Sequence, residues 1–146
     1  MMTKTPRIYC YGELLWDCFP DREILGGAPF NVAYRLHSLE AEVQLLSAVG
    51  DDPRGQEALN GLVQFGLNIK GIQVHKDLET GYVKVHLDTR GAATYSIGMP
   101  VAWDRITALA RIDPDSILIF GSLALRQDYN KRQIKGLMDQ SKLTAP

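Results

Sequence analysis

Gly26-Gly27-Ala28-Pro29-Phe30-Asn31-Val32-Ala33-Tyr34-Arg35-Leu36 is the stretch from which the rest of the chain can be read. Two glycines permit positive φ and let the backbone come close to a ligand, since neither carries a Cβ. Pro29 suits the first turn of a helix, where a missing N–H costs nothing. Val32, Ala33, Leu36 and Leu39 recur at helical spacing, which predicts a helix with that stripe turned to a core. A glycine pair at the mouth of a helix leaves backbone N–H groups facing whatever lies before it. Asn31, one turn in, offers a donor and an acceptor over the same spot, which suits a polyhydroxylated ligand. The same residues also read as a plain strand-to-helix turn with no ligand.

On the N-terminal side, Arg7 to Leu15 (RIYCYGELL) predicts a buried first strand that Trp16 to Phe19 continues. Pro20-Asp21 makes a turn, and Arg22 to Leu25 is a short strand leading to the glycine pair. Beyond the helix, Val43 to Val49 (VQLLSAV) has the continuous apolar character of a parallel strand covered on both faces. Asp52 is placed to cap a second helix with Pro53 at its first position. Leu59, Leu62 and Val63 predict that helix's inward stripe, and Gly66 its C-terminal cap. Strand, helix, strand, helix at this spacing predicts an α/β fold with a parallel sheet. Gly81 to Asp88 then alternates, and Ala93 to Ile97 follows a turn at Thr89-Arg90-Gly91, which predicts a hairpin with one wet face. Ala102-Trp103-Asp104 opens a short helix through Leu109, with Trp103 in the core. Ser116 to Phe120 is a further buried strand, and Tyr129 to Ser141 a helix with Ile134, Leu137 and Met138 on one side.

The 146 residues suffice for one domain with a core, and 45% apolar with 23% charged residues is the composition of a soluble globular protein. A net charge of −1 with mixed signs gives no electrostatic case for nucleic acid or an anionic membrane. No apolar run approaches the ~20 residues that span a bilayer. Cys10 and Cys18 lack metal-ligand spacing, and His37, His75 and His86 are isolated, so no metal site is assigned and a cytoplasmic location is expected.

In order, GELLWD, GGAPFNVA, LLSAVGDDPRGQ, TGYVKVHLD, AWD and FGSLALR resemble the ribokinase-like (phosphofructokinase-B family) carbohydrate kinases, the fructokinase branch above all. The resemblance covers nearly the whole chain. It implies a Rossmann-like ribokinase fold with a small β lid, incomplete here because family members are about twice this length. The chain is expected to be the N-terminal portion of a sugar-kinase domain, with lid strands near 14–25 and 81–97. By resemblance, Asp17 hydrogen-bonds sugar hydroxyls, while Gly26, Gly27 and Asn31 complete the pocket from the opposite wall. Where the family usually has Gly or Ser at the end of the first helix, this chain has Glu40, which puts the local turn in question.

The family's late D-T-x-G-A-G-D segment binds the transferring phosphate and supplies the base. Asp88-Thr89-Arg90-Gly91-Ala92-Ala93-Thr94 looks like it but sits in a hairpin, and Thr94 stands where the basic Asp would be. It is read as the hairpin's turn. No G-x-x-x-x-G-K-[ST] loop is present. The resemblance therefore implies a sugar wall and lid without phosphate cradle or base, and a chain inactive by itself. ATP and Mg2+ are expected for full-length members of the family, and no binding site for either is identified in this chain. Arg126, at the C-terminal end of a predicted parallel strand, is a candidate substrate contact as well as a plain loop arginine. The expected partner is a small-molecule sugar, with a second copy pairing through the lid strands or a sheet edge as a further reading. The alternatives to a kinase are a sugar- or nucleoside-binding module without chemistry and a lid-mediated interaction fragment.

Overall fold

Strands that are apolar on both faces need cover on both sides, and the chain supplies it from three helices. A computed structural model describes residues 4–108 and 111–140. In chain order the elements are β1 (Ile8–Tyr11), β2 (Leu15–Cys18), β3 (Glu23–Gly26), α1 (Ala28–Ser38), β4 (Val43–Gly50), α2 (Pro53–Gln64), β5 (Ile72–His75), β6 (Tyr82–Leu87), β7 (Ala93–Ile97), β8 (Ile117–Phe120) and α3 (Asp128–Gln140). Single 3-10 turns lie at Ala102–Asp104 and Leu123–Arg126.

The first sheet is parallel throughout, in the order β5-β4-β1-β8. Because side chains alternate along each strand, Cys10 and Leu45 face one core with Phe30 and Ala33 of α1 and Ala58 and Leu62 of α2. Tyr9, Tyr11, Leu46 and Ala48 face the other, with Trp103, Ile106 and Ile134 and Leu137 of α3. The second sheet has the order β3-β2-β6-β7, with β2 and β6 parallel and the outer pairs antiparallel. Its register puts Leu15, Asp17, Val83, Val85, Tyr95 and Ile97 on one face, and Trp16, Cys18, Tyr82 and Lys84 on the other.

The expected α/β architecture is present, and several element-level expectations are corrected. The first strand does not run on through Trp16-Asp17. It stops at Tyr11, Gly12 takes φ 148°, and Leu15 starts a strand of the other sheet. The inward face of α1 is Pro29, Phe30 and Ala33, while Leu39 is 76% exposed and Val32 also faces water. In α2 the buried positions are Gly55, Ala58 and Leu62, and Val63 is exposed. β5 is a strand that the sequence reading lacked. The turn at Ala102–Asp104 is not followed by the helix expected through Leu109, which itself lies outside the described residues, as does Ser141. Strand β8 is only partly buried and, among the described residues, stands at the sheet edge. The capping expectations for α2 are met: Asp52 Oδ1 accepts from Gly55 N at 2.8 Å, and Gly66 has φ 79° just past the helix end.

Candidate functional site

In open α/β sheets, ligands bind beyond the carboxyl ends of the strands, and here that region is built from glycine turns. Gly12, leaving β1, has the φ of 148°, and a Cβ there would stand 2.5 Å from Pro29 Cγ. Gly27 has φ 113°, and a Cβ there would collide with the carbonyl of Glu13. These two positions need glycine for conformation and for space, so the start of α1 lies directly against the turn after β1. Asn31 N donates to Gly27 O at 2.9 Å, which makes Asn31 part of the same turn, with its side chain exposed.

Asp17 approaches from the second sheet. A Cβ on Gly26 would stand 2.6 Å from Asp17 Oδ2, so the carboxylate lies across the side-chain-free backbone at Gly26. Asp17 is half-buried, and that burial raises its carboxyl above the usual range. Its sheet face is otherwise apolar: Ile24, Val83 and Ile97 occupy the neighbouring in-register positions. A lone carboxylate on an apolar face is a strong acceptor for hydroxyl groups.

The structure thus brings Asp17, Gly26 and Gly27 together, with Asn31 in the adjoining helical turn, while the contacts of Arg126 are with other groups. Arg126 donates from Nε to Asp104 Oδ1 and from Nη2 to Asp104 Oδ2, both at 2.7 Å, and from Nη2 to Gly98 O at 2.6 Å. Its guanidinium carbon lies 4.1 Å from the centroid of the Trp103 ring. The free donors expected at the helix mouth are fewer than two glycines suggest, because Pro29 has none and Ala28 N donates to Glu13 Oε1 at 3.4 Å.

Glu13 is the residue that sequence reasoning missed. It is 4% exposed, and its Oε2 is buried without a hydrogen-bond partner among the described residues. Burial pushes its carboxyl up, against the pull of backbone donors including its own N–H, Ala28 and Ala124. The signal available was an acid directly after a strand-ending glycine within the apolar run RIYCYGELLW; a charge there is buried or functional.

The Asp88 look-alike is a hairpin turn. Asp88 Oδ1 accepts from Arg90 N and Ala92 N at 2.8 Å, and Gly91 takes φ 81°. Among the described residues no three His, Cys, Asp or Glu side chains are grouped so as to hold a metal ion. No helix among the described residues is long and apolar enough to cross a membrane.

Residues 4–116 match the family model described as pfkB family carbohydrate kinase. The chain is 26% identical over 141 residues to the Arabidopsis thaliana protein named Probable fructokinase-5, covering 85% of this chain and 44% of that protein. It is 30% identical over 95 residues to the fructokinase of Klebsiella pneumoniae, covering 62% and 31%. Among solved structures it superposes on fructokinase from Vibrio cholerae O395 in apo form with a TM-score of 0.84 at 22% identity, over 94% of this chain and 50% of that one. It superposes on fructokinase with bound ATP from Xylella fastidiosa with a TM-score of 0.82 at 23% identity, over 94% and 46%. At these identities the structures show a shared fold. The chain spans half or less of the length of each of these proteins.

Proposed function

Because the chain belongs to the pfkB family of carbohydrate kinases, we propose that it forms the sugar-holding side of an ATP-dependent kinase acting on a fructose-like ketose. Asp17 accepts from vicinal hydroxyls of the sugar, the backbone at Gly26 and Gly27 forms the opposite wall, and Asn31 closes the pocket from α1. The sheet β3-β2-β6-β7 serves as the lid. The single observation that carries this reading is the half-buried Asp17 carboxylate set across Gly26 on an otherwise apolar sheet face. The phosphate cradle and the base are not assigned to any of these 146 residues, and we expect no sugar-dependent turnover of ATP from a polypeptide limited to them. A second copy of the chain is the macromolecular partner, through the open edge of β7.

Titration calorimetry of the full chain with D-fructose tests the pocket. A hydrogen bond to a charged group is worth about 1.5–3 kcal/mol, so Asp17→Ala should weaken binding at least about tenfold. Asp88→Ala, in the hairpin turn, should change it less than about twofold. Equal losses from the two variants would place the sugar elsewhere.

A further inference from the structure

Beside its pairing with β2, the hairpin β6–β7 is entered through Gly81 and left through Gly98, and one group of side chains grips both. At Gly81 the grip is steric: a Cβ there would collide with the indole edge of Trp103, which is fully buried, so the ring is seated against bare backbone. At Gly98 it is polar, the carbonyl accepting from Arg126 Nη2 at 2.6 Å. The same guanidinium makes a two-point ion pair with Asp104 and stacks on the Trp103 ring. Asp104 Oδ2 in turn accepts from Val101 N at 2.9 Å. Buried Asn130 of α3 donates to Trp103 O and to Ala124 O, both at 2.8 Å, tying the group to the turn that carries Arg126. The neighbouring Gln127 Nε2 meets Met99 Sδ at 2.9 Å on the same leg of the hairpin.

We propose that Arg126 is a positioning residue, which, through Asp104 and Trp103, fixes the two ends of the hairpin β6–β7 to the turn that follows β8. The guanidinium is suited to this because its planar fork can hold a carboxylate, a carbonyl and an aromatic face at once, and an ammonium cannot. The chain leaving β8 is thereby coupled to the placement of Val83, Val85, Tyr95 and Ile97, which share a sheet face with Asp17. This consequence for sugar binding rests on the pocket proposed above; the clamp on the hairpin does not.

The test uses the full chain carrying Arg126→Met and, in parallel, Arg126→Lys, which keeps the charge but loses the fork. Hydrogen exchange followed by mass spectrometry reads residues 82–97 against β1 and β4, and calorimetry reads D-fructose affinity. Arg126→Met should speed exchange across the hairpin at least about tenfold while β1 and β4 stay protected, and should weaken D-fructose about tenfold, ~1.4 kcal/mol. Arg126→Lys should fall between Met and wild type in both, and it carries the test if the Met variant does not fold. Weaker sugar binding with unchanged hairpin exchange would overturn the proposal in favour of direct substrate contact. Unchanged exchange and unchanged affinity, or a rise of exchange equally in β1 and β4, would also overturn it. Should Asp17→Ala leave D-fructose binding untouched while hairpin exchange rises in Arg126→Met, the pocket assignment fails and the clamp stands.

Discussion

Glu13 and Asp104 are both only 4% exposed, and the chain supports them in opposite ways. Asp104 has the guanidinium of Arg126; Glu13 has no cation among the described residues, only weak backbone donors such as Ala28 N at 3.4 Å. Burial therefore raises the Glu13 carboxyl, and the sign of its linkage follows. The stability it contributes is complete below the unfolded value, about 4.3, and is lost as pH rises through the folded one, since the native state then holds a proton that the unfolded state has released. Glu13→Gln removes this titration. The stability difference between variant and wild type, from urea melts at about pH 4, 6 and 8, should move in the variant's favour as pH rises. A difference flat with pH would show that Glu13 ionises no differently in the fold. At this scale the sequence was readable where backbone chemistry dictates the residue. Gly66 past α2 is one case, and Glu40 another: the position where glycine was missed has φ 63°, the one non-glycine residue with positive φ among those described. It was unreadable where burial depends on what the fold brings near, as at Glu13 and Arg126.

Single elements show the same division. Asp52 was legible as a helix cap because Asp-Pro before an amphipathic run has a local mechanism. Its second task is tertiary: Oδ2 accepts from Thr80 N at 2.8 Å and Oδ1 from Thr80 Oγ1 at 2.7 Å, joining the start of α2 to the segment that enters β6. Burial acts to raise its carboxyl, but the hydrogen bonds from Thr80 and Gly55 and the charge of Arg54 outweigh it, and the net direction is down. Asp52→Ala should cost about 2–4 kcal/mol in chemical denaturation, the cap plus stranded donors at nearly buried Thr80. The stability Asp52 provides is present above its unfolded value and is lost as pH falls through the lowered folded one, the reverse of Glu13. A loss below about 0.5 kcal/mol would mean the Thr80 bonds contribute nothing. The break between β1 and β2 was hidden because RIYCYGELLWDC is apolar on both sides of Gly12, and hydropathy does not register a change of sheet. In α1, two apolar stripes share helical spacing. The one that packs is the one whose Pro29 and Ala33 let the helix approach the β1 turn, a long-range constraint absent from the local pattern.

For the molecule as a whole, layer order followed from the sequence because continuous apolar strands alternating with amphipathic helices admit few other arrangements. How its sheets end did not. Among the described residues the second sheet finishes at β7, paired only with β6, and all five residues of β7, ATYSI, are exposed. Tyr95 is 64% exposed and Ile97 39%, with Leu87 on β6 at 53% and Met99 beyond β7 at 61%. Natural edges are usually guarded by Lys, Pro or a bulge, and β7 itself carries no charge and no proline. An unguarded, apolar edge that offers unpaired N–H and C=O groups is a template for another strand, and the chain in highest local supply is a second copy. Joining two such edges and the side chains beside them removes a few hundred Å² of apolar surface from water, worth several kcal/mol at about 25 cal/mol per Å². We expect sedimentation at micromolar concentration to find a dimer. Tyr95→Lys, placing like charges opposite one another at the joined edge, should raise the dimer dissociation constant at least about tenfold. Wild-type chain sedimenting as a monomer, or a Tyr95→Lys dimer as tight as wild type, would show that the β7 edge stays open to water.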